Sequence, residues 1–357
     1  MRGKRPDMVV HQAAPYNAEP PPHVLAGQHL TPVEAFYSRN HGPVPDIETG
    51  DWRLQVQGLV DHPMEVGLGA LQDRFEHRTI EATLQCAGNR RTGLSAVRAV
   101  PGEPWGSCAT STASWTGVRL GDVLRAAGLQ GGTGHVELSA PDLSAHAEPP
   151  QTYASSIPVA KALADEVLLA WAMNGQHLPA VHGGPVRVVV PGYIGARSVK
   201  WVQQVTARRD PSPGYFQATA YRLLPPDGEL APGAGIPLGP IALNADILVP
   251  ADGSTVPAGP TEVSGFAFAG DDRDVVRVDV SVDGGRTWVQ AGLDDRGGPW
   301  TWRLWRTRLV LPPGRSQISV RAWDSTAATQ PERPEQLWNP QGYVNNSWGR
   351  VTVTVAG

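Results

Sequence analysis

Hydrophobic and polar positions along the chain fall into two textures. From Trp52 to Val60, WRLQVQGLV alternates apolar and polar residues, which predicts a half-buried strand. GVRLGDVLRAAGL, from Gly117 to Leu129, reads as a helix closed by Gly128. DEVLLAWAMNG is an apolar run whose type the period does not decide, halted by Asn174-Gly175. GPVRVVVPG is continuous and rich in branched residues, as a buried strand is, and the polar YIGARSVKW follows at its carboxyl end. The texture changes between about Pro211 and Ile241, where Pro and Gly accumulate and the chain reads as an extended connection. Beyond it TEVSGFAFAG, VVRVDVSVDGG, TWVQAGL, TWRLWRTRLVL, SQISVRAWDS and RVTVTVAG are short strands, with a tight hairpin turn expected at Asp283-Gly284-Gly285. Such spacing suggests an immunoglobulin-like sandwich, although the Cys…Trp…Cys signature of antibody domains is missing. The expected organisation is α+β: a mixed domain over 1–215, a linker over 216–240, and an all-β sandwich over 241–357.

Length and charge narrow the picture. A chain of 357 residues suits about two domains. A net charge of -4 gives no electrostatic footprint for nucleic acid. No apolar run reaches the roughly 18 residues of a membrane span. The opening MRGKRPDMVVHQAAPYNAEPPP has neither an apolar core nor a twin arginine, so a cytoplasmic location is expected. Of the 30 basic residues only Lys4, Lys161 and Lys200 are lysines, a mild hint that position 200 wants a compact ammonium. Zinc spacings, phosphate-binding glycine loops, a nucleophile elbow and a haem attachment site are all missing.

Two cysteines remain. Cys108, in WGSCATST, has no chemical neighbour and is assigned to the core. Cys86, in TLQCAGNRR, is followed by Gly88, Asn89, Arg90 and Arg91, a setting that favours a thiolate able to attack carbon or bind a metal. FYSRNHGPVP carries Arg39 and His41 in a turn, whose bland reading is a solvated loop. VHGGPVRVVVPGYIGARSVKW carries His182, Arg187, Arg197, Ser198 and Lys200, whose bland reading is a basic rim beside a core. Together they point to an anion. A hydrolase using Cys86 with His41 or His182 as base would leave that cluster unexplained. A non-catalytic adhesive sandwich would leave TLQCAGNRR unexplained.

YNAEPPP, TPVEAFYSRNHGPVP, TLQCAGNRR, LLAWAMNGQHLP, HGGPVRVVVPGYIGARSVKW, VDVSVDGGRTW and LWNPQGYVNNSW resemble, in order and spacing, the sulfite oxidase family of molybdenum enzymes. The likeness runs from about Pro15 to the C-terminus and is greatest to the plant-type enzyme without a haem domain. It implies a molybdopterin-binding domain followed by a dimerisation domain, with Cys86 as the protein's thiolate on molybdenum. Soft sulfur suits a metal cycling through two electrons.

By the same resemblance Arg39, Arg91, Tyr221 and His41 surround the substrate anion, and His182, Arg187, Arg197, Ser198 and Lys200 hold the pterin and its phosphate. The implied reaction is oxidation of sulfite to sulfate by oxygen-atom transfer, with nitrate or sulfoxide reduction as the alternative. Tyr221 favours sulfite, since nitrate reductases of the family have asparagine there. Gln341, in WNPQG, stands where sulfite oxidases have an arginine, which implies a weaker hold on sulfite. The resemblance further implies no haem, an external electron acceptor (dioxygen or a carrier protein), and a homodimer through the sandwich. Within TWRLWRTRLVL, Trp302 and Trp305 either face the partner or fill the sandwich core.

Overall fold

The computed structural model describes residues 3–147, 149–295 and 297–356. Among them, two five-stranded sheets build the first domain. One runs in the order Met64–Gly67, Arg53–Gly58, Gln204–Arg208, His135–Ser144, Gln151–Pro158. Its alternating residues Leu54 and Val56 point into the core, as the sequence period requires. The other joins Gln176–His177, Leu168–Met173, Thr110–Arg119 and His77–Gln85, with Arg187–Val189 also on the Leu168–Met173 strand. Trp52, Leu120, Val123, Ile157, Val188 and Val205 belong to the core of this domain.

In the first domain and the connection after it, two local readings change and one is decided. Gly117–Leu129 is not all helix: the Thr110–Arg119 strand runs through its start, and the helix occupies Leu120–Ala126. The cause lies in pairing with Leu168–Met173, where the register slips at Gly117 and a Cβ there would stand 2.0 Å from the Leu169 carbonyl oxygen. The undecided run around Leu168 is a strand, because Asn174 (φ 50°) and Gly175 (φ 73°) supply the left-handed pair that turns it into Gln176–His177. The connection after Pro211 is packed rather than merely extended. It forms the helix Tyr215–Ala218 and a hairpin of Arg222–Leu223 with Ile236–Pro237, and buries Phe216, Tyr221 and Leu238 in the first domain's core.

The C-terminal strands form two facing sheets around Val263, Val278, Val280, Trp305, Ile318, Val320 and Val353. Asp283 does not sit in a two-residue turn. The connection from Val282 through Trp288 is organised by its carboxylate, which accepts from the Ser281 and Thr287 hydroxyls and from the Arg286 and Thr287 amides. Both tryptophans of TWRLWRTRLVL are buried in this chain. Trp305 fills the sandwich and donates to the Phe266 carbonyl, while Trp302 packs with the first domain's core and donates to the His29 carbonyl. Among the described residues no helix is long and apolar enough to cross a membrane.

Candidate active site

Cys86 begins the turn that leaves the His77–Gln85 strand. Its amide donates to the Ala109 carbonyl (2.9 Å), the Asn89 amide returns to the Cys86 carbonyl (3.0 Å), and the Gly88 amide points at Sγ (3.4 Å). The turn ends at Arg90, held left-handed at φ 63°. That strain is supported from the far end of the chain. The Arg90 guanidinium donates to the carbonyls of Ser347 (2.6 Å) and Trp348 (2.9 Å) and pairs with the buried Asp246 (3.1 Å). The Val344 amide donates to the Ala87 carbonyl, and the Asn345 side chain to that of Arg90. The C-terminal segment is therefore the floor of the cysteine loop.

Above that floor a cleft opens, with Cys86, Arg39, His41, His182, Arg187, Ser198, Lys200 and Tyr221 among its walls. Lys200 donates to the carbonyls of Arg39 (2.9 Å) and Val181 (3.4 Å) and to the Asn40 side chain. Arg187 ties the carbonyls of His182 and Ser198, both at 2.9 Å. The Ser198 hydroxyl accepts from the Val190 amide and so fixes the strand's end rather than reaching outward. His41 Nε2 and the Tyr221 hydroxyl stand 2.6 Å apart.

The electrostatics call for an anion. Arg39, Arg187 and Lys200 share the walls with one carboxyl, Asp142. Burial pushes Arg187 down to about 10, and burial followed by the Arg187 charge holds Lys200 well below the usual lysine range. Burial keeps His41 neutral, helped by Arg39 and Lys200, and holds Tyr221 well above the usual tyrosine range.

Asp142 is the residue that sequence reasoning missed. Burial raises its carboxyl to about 6, and its Oδ1, like the wall residue Ser38's hydroxyl, is buried without a hydrogen-bond partner among the described residues. A signal existed. In HVELSAPDLS the residues Val136, Leu138, Ala140, Asp142 and Ser144 share the buried face of one strand, and an acid there is anomalous.

Three expected residues stand elsewhere. Arg91 is not a cleft wall: its guanidinium donates to the carbonyls of Glu103 (2.9 Å) and Gly342 (3.2 Å) and lies 5.2 Å above the Tyr343 ring, which in turn stacks on Tyr221. Arg197 is not a wall either. All its nitrogens are used on the Leu238 and Phe216 carbonyls and the side chains of Ser155 and Gln217, bracing the connection that carries Tyr221. Gln341 is half-buried, next in sequence to Gly342, whose carbonyl accepts from Arg91, and stands outside the walls. Cys108 is buried as expected.

The residues present fit a molybdenum cofactor. Cys86 offers the cleft one soft sulfur donor beside Arg39, Arg187 and Lys200, a set that suits a metal bringing its other donors on an organic ligand. The orphaned Asp142 and Ser38 oxygens offer sites for a ligand rich in N–H groups, and the cations suit its phosphate.

Comparison with known proteins agrees with this class. The chain matches the oxidoreductase molybdopterin binding domain over residues 41–216 and the Mo-co oxidoreductase dimerisation domain over 240–356. It is 42% identical to a sulfite oxidase of Gallus gallus, over 97% of this chain and 78% of that protein. It is 35% identical to a sulfite oxidase of Arabidopsis thaliana, over 98% and 94%. The sulfane dehydrogenase SoxCD of Paracoccus pantotrophus has a similar structure, with a TM-score of 0.81 at 25% identity, covering 97% of this chain and 86% of that one. The chain belongs to the sulfite oxidase family of molybdopterin-dependent oxidoreductases.

Proposed function

We propose that the protein oxidises sulfite to sulfate, and the observation that carries the reading is a single thiol, Cys86, in a cleft walled by three cations and one carboxyl. The net reaction takes sulfite and water to sulfate, two protons and two electrons. When bound, the molybdenum cofactor supplies the oxygen atom and accepts the electron pair. Cys86 would hold the metal. Arg187, Lys200, His182, Asp142 and the backbone at Ser198 would hold the pterin and its phosphate, with Arg197 acting behind them.

On the substrate side Arg39 draws the anion in by charge-assisted hydrogen bonds, each contributing about 1.5–3 kcal/mol. The Tyr221 hydroxyl and His41 Nε2 form a neutral donor–acceptor pair, which can offer a hydrogen bond to a sulfite oxygen and receive a proton. The apolar walls Phe36, Leu84 and Trp201 limit water, which strengthens each of these contacts. Arg91 adds positive charge one layer back, through Tyr343.

Gln341→Arg is expected to lower the Michaelis constant for sulfite, because an arginine reaches farther and Tyr343, two residues on, stacks on the wall residue Tyr221. An unchanged constant would mean that position 341 does not reach the pocket even as arginine. Two copies pair through the sandwich. The deciding assay is sulfite with ferricyanide on protein whose molybdenum and pterin contents are measured, set against nitrate and sulfoxides with a reduced dye. Turnover of nitrate or a sulfoxide without sulfite oxidation would replace this reading with the reductive one.

A further inference from the structure

Of the three lysines, Lys200 lines the cleft and Lys161 pairs with Glu166, but Lys4 has no part in the chemistry so far. It rides on an N-terminal arm tied down by the Arg5 amide on the Glu34 carbonyl and by pairing of Val9–Gln12 with Asn17–Glu19. Its side chain is half-buried, and Nζ meets three acceptors: the carbonyls of Val33 (3.0 Å) and Phe36 (2.6 Å), and His182 Nε2 (2.6 Å).

An ammonium has three hydrogens and no acceptor. Placed among these groups it donates all three, and the third requires a lone pair on His182 Nε2. The imidazole must then carry its proton on Nδ1. That nitrogen has no hydrogen-bond partner among the described residues, and His182 is a wall of the cleft. The opposite tautomer also has a place to go, since Nε2 stands 3.3 Å from the Val33 carbonyl and could donate there once the lysine were gone.

We infer that Lys4 is a positioning residue that holds His182 in the Nδ1–H tautomer, so that the histidine presents a donor rather than a lone pair to an anionic group of the cofactor. The inference rests on the cofactor reading above. The electrostatics agree with it. Burial lowers Lys4 to about 7 against the opposing charge of Glu34, so the ammonium is present in mild acid, and an anion in the cleft extends that range upward. Burial, then Lys4, Lys200 and Arg187, hold His182 well below the usual histidine range, which keeps the ring neutral.

The test reads the ring directly. Imidazole nitrogen shifts are recorded by long-range proton–nitrogen correlation at pH 6 on full-length, cofactor-free protein, for wild type, Lys4→Met and Lys4→Arg. Wild type and Lys4→Arg should show His182 protonated on Nδ1, and Lys4→Met should move the proton to Nε2. In cofactor-loaded protein, Lys4→Met should lose molybdenum during dialysis about tenfold faster than wild type, the order expected for removing a group that orients a ligand, with Lys4→Arg near wild type. A wild-type ring already protonated on Nε2 overturns the proposal, and that arm needs no variant to fold. So does an unchanged tautomer in Lys4→Met, or a changed one without faster loss. Purified wild type devoid of molybdenum and pterin would defeat the cofactor reading instead, leaving the tautomer result intact.

Discussion

At Tyr221 one hydroxyl serves two neighbours, His41 now and an incoming anion later. Tyr221→Phe removes that hydroxyl and keeps the stack on Tyr343. The Michaelis constant for sulfite should rise about 3- to 10-fold, the worth of roughly 1 kcal/mol in one hydrogen bond. Steady-state kinetics with ferricyanide would show it, and an unchanged constant would place the hydroxyl away from substrate.

Asp142 makes a prediction about stability. Its carboxyl titrates near 6 in the folded cofactor-free protein and near 3.8 when free. Between those values the folded state binds the extra proton, so unfolding free energy falls as pH rises from about 4 to about 6. Urea midpoints at pH 4, 5 and 6 should decline in wild type more steeply than in Asp142→Asn, and equal slopes would count against a buried acid at that site. At this scale Cys86 was legible because its neighbours are unusual. Asp142 was hidden by a strand that sequence reading did not pair. Resemblance assigned Arg91 to the substrate anion and Arg197 to the pterin, while the folded chain uses their donors on carbonyls that only tertiary structure brings near.

Among the elements, the loop after the His77–Gln85 strand depends most on distant support. Arg90→Ala would remove one of two donors from each of the Ser347 and Trp348 carbonyls and leave Asp246, whose carboxyl burial already raises, without its ion-pair partner. A loss on the order of 3 kcal/mol is expected, as for other ion pairs broken from one side. A loss below about 0.5 kcal/mol in urea unfolding, the range of an ordinary surface change, would mean that the clamp is not what holds the loop. Strand periods were readable in both domains because alternation survives wherever one face is buried. The Gly117–Leu129 strand-to-helix switch was not, since Val118 and Leu120 suit either period and the choice is made by pairing with Leu168–Met173. The connection after Pro211 was misread because Pro and Gly conceal how Phe216 and Tyr221 pack on Tyr153 and Tyr343.

Considered whole, the molecule's two largest cores are stitched to each other. Trp302, just before the sandwich strand Arg303–Val310, packs in the first domain, and its amide donates to the Thr83 hydroxyl. Arg90 and the 339–348 segment cross in the opposite sense. Calorimetry should therefore record one cooperative unfolding transition, with calorimetric and van't Hoff enthalpies in agreement. Two well-separated transitions would show the domains to be independent.

The floor beneath Cys86 also sets an order of events in the cell. Ser347, which receives the Arg90 guanidinium, lies 257 residues further along the chain. A ribosome making the protein from its N-terminus would finish the cysteine turn long before the segment that supports it had been translated. The nascent turn has only its local bonds, such as that to the Ala109 carbonyl, until the segment around Ser347 has emerged and folded back. Insertion of the metal group is thus expected to wait until residues 345–348 have been made and have folded back.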